Sequence, residues 1–148
     1  MKTISATLLS LAVMIVGAGA SELPVVIQDG VVLEEAWATS DGQGGLEVFL
    51  VINNRTLTEV GSLKVDVLGA SETELRSASG AEIAPVIPAR AELYMQPGGV
   101  YILATTAVEP GATVPVSVSV AGTAPTLIDA RVLSPGEDVP DHHDYDHG

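Results

Sequence analysis

The sequence predicts an all-β protein, an antiparallel β-sandwich followed by a disordered C-terminal tail, on three observations. Val114, Val116, Val118 and Val120 alternate with Pro115, Ser117 and Ser119, a period of two that puts the four valines on one face of a strand. Residues 46–52 (LEVFLVI) are apolar at every position but one, the pattern of a central strand covered on both sides. Turn signals recur at Asp41 to Gly45, Asn53-Asn54, Ser79-Gly80, Pro97-Gly98-Gly99, Glu109-Pro110-Gly111 and Ala121-Gly122, and no stretch between them sustains a helical period. Roughly seven or eight short strands at such spacing make a sandwich.

In chain order, residues 1–20 read as a signal peptide. Lys2 supplies the positive start, 8–16 (LLSLAVMIV) the apolar core, and Ala18-Gly19-Ala20 the small residues before a cut ahead of Ser21. That core is shorter than the roughly 20 apolar residues needed to span a bilayer, so no membrane insertion is expected after cleavage. Strands are then expected over 31–38, 46–52, 62–68, 72–77, 91–95, 100–106, 114–120 and 126–133. Pro115 cannot donate to a ladder, which predicts that its strand lies at an edge or pairs only after it. Beyond Leu133 the chain becomes SPGEDVPDHHDYDHG, too poor in apolar residues to pack. The domain is thus expected over 21–133 and the acidic tail over 134–148.

Composition excludes several functions. There is no cysteine, hence no disulfide, thiolate metal site or cysteine nucleophile. Nineteen acidic residues face six basic ones for a net charge of −13, and loss of the leader removes Lys2 and deepens it by one. Such a surface repels nucleic acid and anionic lipid and attracts cations or a basic partner. All three histidines fall after residue 141, so the body holds no Ser–His–Asp triad or histidine zinc site, and no enzyme is expected. Glu34 and Glu35, as neighbours on a strand, are expected to point to opposite faces. Asn54-Arg55-Thr56 matches a glycosylation acceptor, but its Asn-Asn turn accounts for it.

Several landmarks resemble the periplasmic copper chaperones called PCu(A)C. Glu35-Ala36-Trp37-Ala38 opens a strand that leads to a Gly-rich loop and a second strand ending at Asn53. Ile87-Pro88-Ala89, Leu93 and the run Gln96-Pro97-Gly98-Gly99-Val100-Tyr101-Ile102-Leu103 follow at the family's distances, then Glu109-Pro110-Gly111 through Val120 and Ala130-Arg131-Val132. The resemblance covers residues 31–133. It implies a cupredoxin-like fold, a periplasmic location, and delivery or buffering of copper for a cuproprotein or a second copper chaperone.

The resemblance also exposes a departure. The family holds Cu(I) with two histidines and two methionines, soft thioethers beside imidazoles. Its His-x-Met pair falls on Tyr101 and Leu103, its earlier histidine on Arg76, and its other methionine in the shortened stretch 78–86, which contains none. Met95, the one methionine left after the leader, reads as core. Either the domain no longer handles metal, as an interaction module without metal, or metal handling has moved to the tail. There His142, His143 and His147 alternate with Asp141, Asp144 and Asp146, a set suited to Cu(II), and also to zinc or nickel in a scavenger. Ordering such a tail costs roughly 1–2 kcal/mol per residue, so affinity is expected to be modest and to fall below about pH 6.5 as imidazoles protonate.

Overall fold

The computed structural model describes residues 20–139. Nine strands lie among the described residues: β1 (Val25–Gln28), β2 (Val31–Ser40), β3 (Gly45–Asn54), β4 (Lys64–Val67), β5 (Thr73–Arg76), β6 (Ala91–Tyr94), β7 (Tyr101–Thr105), β8 (Thr113–Ser119) and β9 (Thr126–Val132). Eight are the expected strands, trimmed or extended by a few residues. β1 is additional. It pairs with β2 through the Asp29-Gly30 turn, where Gly30 takes φ +79° and an added Cβ would meet the Thr56 methyl carbon at 2.6 Å.

The order β4-β8-β9-β2-β3-β7-β5, with β1 on β2 and β6 on β3, wraps into a sandwich whose first and last strands approach one another. All pairings are antiparallel except β2 with β9, which run parallel through Trp37–Arg131 and Ala38–Val132. The bend comes from the two long strands. β2 carries β1 along its first half, to Leu33, and β9 from Trp37 onward. β3 pairs with β7 over Gly45–Val48 and with β6 from Val51 onward. Between those halves the β2–β3 register slips at Glu34, a bulge that increases local twist. It also corrects the expectation for the two glutamates. Glu35 lies opposite Val51, and Glu34 accepts from Asn53 at 3.4 Å and from Arg55 at 3.3 Å, so both acids serve the Val51–Asn53 face.

Period-two patterning fills the core as expected. Val114, Val116, Val118 and Val120 are all buried, as are Leu46, Val48, Phe49, Leu50, Val51 and Ile52 on both faces of β3. β8 is not an edge strand, since it lies between β4 and β9. On the β4 side, however, its paired register begins at Val116, just after Pro115, the second of the two expected arrangements. The Pro115 carbonyl accepts from Leu68 just past the end of β4. The missing N–H therefore falls where that ladder has run out, so an interior strand tolerates the proline.

Asn54 is fully buried, which removes it as a glycan acceptor. Its amide nitrogen lies 2.8–3.1 Å from the carbonyls of Thr58, Ile87 and Pro88, and its oxygen accepts from the Thr56 N–H and hydroxyl. One side chain thus ties two loops to the end of β3.

The β2–β3 hairpin is held by Asp41, whose carboxylate accepts from the Gln43 and Gly45 N–H groups at 2.7 and 2.9 Å. Those bonds, to Gln43 first, hold its carboxyl below the usual carboxylate range. A depressed folded-state pKa stabilises above the ordinary carboxylate value and is lost as pH falls through the depressed one. Asp41→Asn is therefore expected to melt below the parent at pH 6 and to converge on it in strong acid. A gap in melting temperature that stays constant with pH would contradict this.

Candidate metal centre

The three positions singled out by the resemblance, Arg76, Tyr101 and Leu103, lie together on neighbouring strands. β5 and β7 pair with Arg76 opposite Tyr101 and Glu74 opposite Leu103. Ile102 and Ala104 on β7 are buried in the core. Alternation therefore turns Tyr101 and Leu103 to the outer face, where their cross-strand partners Arg76 and Glu74 also stand. On its other side Leu103 lies opposite Glu47 of β3. The turn before β7 sets this register: Gly98 takes φ +82°, Gly99 donates to the Gln96 carbonyl at 2.9 Å, and Gln96 donates to Val100 at 3.2 Å.

An ion pair fills the face. Arg76 Nε donates to Glu74 Oε2 at 3.0 Å, Nη2 donates to the same oxygen, and Nη1 reaches the Gly80 carbonyl at 3.3 Å. The Glu74 carboxylate, the first cause, holds the guanidinium protonated beyond its already high value. Both side chains are about one-third exposed, so solvent screens the pair and it contributes little to stability. It also sets the chemistry of this face: a fixed cation there repels a metal ion.

Residues 78–86 contain no methionine. Residues 77–81 close a tight turn, with Ser77 donating to Ala81 at 2.9 Å, and Ile83 then donates to Leu75 at 3.0 Å. Met95 is fully buried and its N–H bonds Leu50, so it is core, as expected. A phenol, an aliphatic chain, a guanidinium and a carboxylate neutralised by it do not fit Cu(I), which prefers thioether and imidazole. Among the described residues no three His, Cys, Asp or Glu side chains are grouped to hold a metal ion. His142, His143 and His147, with Asp141, Asp144 and Asp146, lie outside the described residues.

Sequence reasoning placed Arg76, Tyr101 and Leu103 but missed Glu74. Its signal was present, since residues two apart on a strand share a face.

Trp37, a landmark of the resemblance, is 1% exposed. It stacks on Phe49 with ring centroids 5.4 Å apart and meets Tyr94 at 6.4 Å, while its indole N–H is buried without a partner. Its place is structural. Past Leu133 the chain remains tied to the sandwich: Leu133 donates to the Ala38 carbonyl, and Glu137 pairs with Arg131. Among the described residues no helix is long and apolar enough to cross a membrane.

No sequence family and no curated protein matches the chain. Solved structures do. The apo PCuAC domain from PmoF1 matches with a TM-score of 0.66 at 19% identity, over 79% of this chain and 99% of that one. The copper-bound PCuAC domain from PmoF2 matches with a TM-score of 0.66 at 15% identity, over 77% and 100%. The solution structure of CuI-DR1885 from Deinococcus radiodurans gives 0.57 at 17%, over 82% and 85%. At these identities the likeness establishes architecture, and the chain is an all-β, cupredoxin-like sandwich with the PCuAC fold.

Proposed function

We propose that this chain is an exported, non-enzymatic copper-handling protein of the PCuAC type in which metal capture resides in the C-terminal tail. It would buffer copper, or deliver it to a cuproprotein or a further chaperone in the periplasm. One observation carries the reading: the face on which Arg76, Tyr101 and Leu103 converge is closed by the Glu74–Arg76 pair. Every histidine of the chain lies beyond residue 141. His142, His143 and His147 supply borderline imidazoles, and Asp141, Asp144 and Asp146 supply carboxylates, a donor set that favours Cu(II) over Cu(I). Zinc and nickel suit the same donors, and competition between the metals separates a scavenger from a copper carrier.

The test is electron paramagnetic resonance of the full chain loaded with one equivalent of Cu(II). The reading expects splitting from imidazole nitrogen that disappears in the triple variant His142→Ala, His143→Ala, His147→Ala. An unchanged spectrum in that variant would remove the tail from the mechanism.

A further inference from the structure

The sheet order leaves β4 and β5 as its two ends, and these ends face each other. At one end the seam is fastened: the Val67 N–H crosses it to the Thr73 hydroxyl at 3.1 Å. Away from that clasp the strands part around a groove of about 570 Å³.

The backbone along this groove has a definite alternation. Lys64 and Asp66 lie opposite Ser119 and Ser117 of β8, and just past the end of β4 Leu68 donates to the Pro115 carbonyl at 3.0 Å. Bonded pairs alternate with unbonded ones in an antiparallel ladder. The Val65 peptide groups therefore turn out of the sheet, as the Val67 N–H does, and meet no backbone partner among the described residues. On the opposite wall Ala81 and Ile83 spend their backbone bonds on Ser77 and Leu75, which leaves Glu82 and Ala84 turned towards the groove. Leu63, Val65, Leu75 and Ile83 make its apolar lining, and Lys64, Asp66 and Glu82 its charged margin.

We propose that this seam is a docking slot for one extended segment of a partner polypeptide, basic at alternate positions and apolar between them, added as a strand to β4. The unpaired Val65 groups supply main-chain bonds, the mode by which exposed sheet edges take up peptides. Alternation in the guest places one set of side chains against the apolar lining and the other beside the rim. Charge selects the guest. Glu74 is neutralised by Arg76, so Asp66 and Glu82 outweigh Lys64 locally, and the whole chain carries −13, which steers basic partners. The proposal does not rest on copper, because neither wall uses a metal ligand.

The test is a nitrogen-15 NMR titration, without metal, of the chain as recovered from expressing cells. The probe is a capped peptide of about nine residues alternating lysine and valine, a normal strand length. Binding is expected to shift the Val65 and Ala84 amides and slow their hydrogen exchange. Val65→Pro removes the outward N–H at an edge position that tolerates proline, and Ser117→Phe fills the groove from β8. Each is expected to weaken binding at least about tenfold. Should Val65→Pro fail to fold, Ser117→Phe decides alone. Shifts confined to another surface would overturn the proposal. So would equal binding of a peptide with its lysines and valines grouped in blocks, equal binding of the glutamate version, or parent-like affinity in the folded variants.

Discussion

The triple variant Arg76→His, Tyr101→His, Leu103→Met is expected to gain a Cu(I) site on the β5–β7 face. The register already supplies the geometry. Arg76 and Tyr101 are directly opposed on β5 and β7, and Leu103 follows on the same face of β7. Directly opposed residues have Cβ atoms about 4.5–5.5 Å apart, close enough for two imidazoles to share an ion, with a thioether two residues on. The changes are affordable, since the Arg76–Glu74 pair is part exposed and screened by solvent. None of the three side chains belongs to the buried core. Titration against a colorimetric Cu(I) chelator, with the tail histidines replaced by alanine in every protein, reads the gain. The variant should withdraw one equivalent where the parent withdraws none. Failure of a folded variant to compete would mean that the fourth ligand, missing from 78–86, is indispensable or that this face is not the descendant of the family's site.

The second large effect concerns the core. Trp37→Ala is expected to cost about 3–5 kcal/mol, the usual range for truncating a buried large aromatic. A domain of this size holds about 5–15 kcal/mol in total. Trp37→Phe should cost markedly less. It retains an aromatic ring for Phe49 and removes an indole N–H that is buried without a partner, a group whose burial costs about 1–3 kcal/mol. Urea unfolding of the three proteins separates the terms. A loss below about 1 kcal/mol for Trp37→Ala would contradict the packing described, and equal losses for both variants would show that the indole N–H is satisfied in solution.

What was legible in the sequence follows from which features are local. Eight strands announced themselves because alternation and turn residues are written within a few positions of each other. β1 was legible too, since Asp29-Gly30 between apolar runs is a strong hairpin signal, but its four residues were too few to show a period. The bulge at Glu34 was not legible. It arises where β2 passes from β1 to β9, a junction of strands distant in sequence, and it reverses the facing expected for Glu34 and Glu35. Which of the two arrangements open to Pro115 is realised was not legible for the same reason, because it depends on where β4 stops. The parallel β2–β9 pair is likewise a property of the closed topology. At the candidate site the resemblance identified Arg76, Tyr101 and Leu103, while their meeting on one outward face is a matter of register that no spacing within β5 or β7 alone encodes.

The central claim is that copper capture has left the domain for the tail. Paired calorimetric titrations test it most directly: Cu(II), and Cu(I) under reductant, into the full chain and into a form ending at Val139. That end point retains all nine strands and the Glu137–Arg131 pair. The account predicts Cu(II) heat in the full chain, none in the shortened chain, and no Cu(I) heat in the shortened chain. Cu(I) binding that survives the truncation would contradict it, and would place a working soft site in the sandwich despite Arg76.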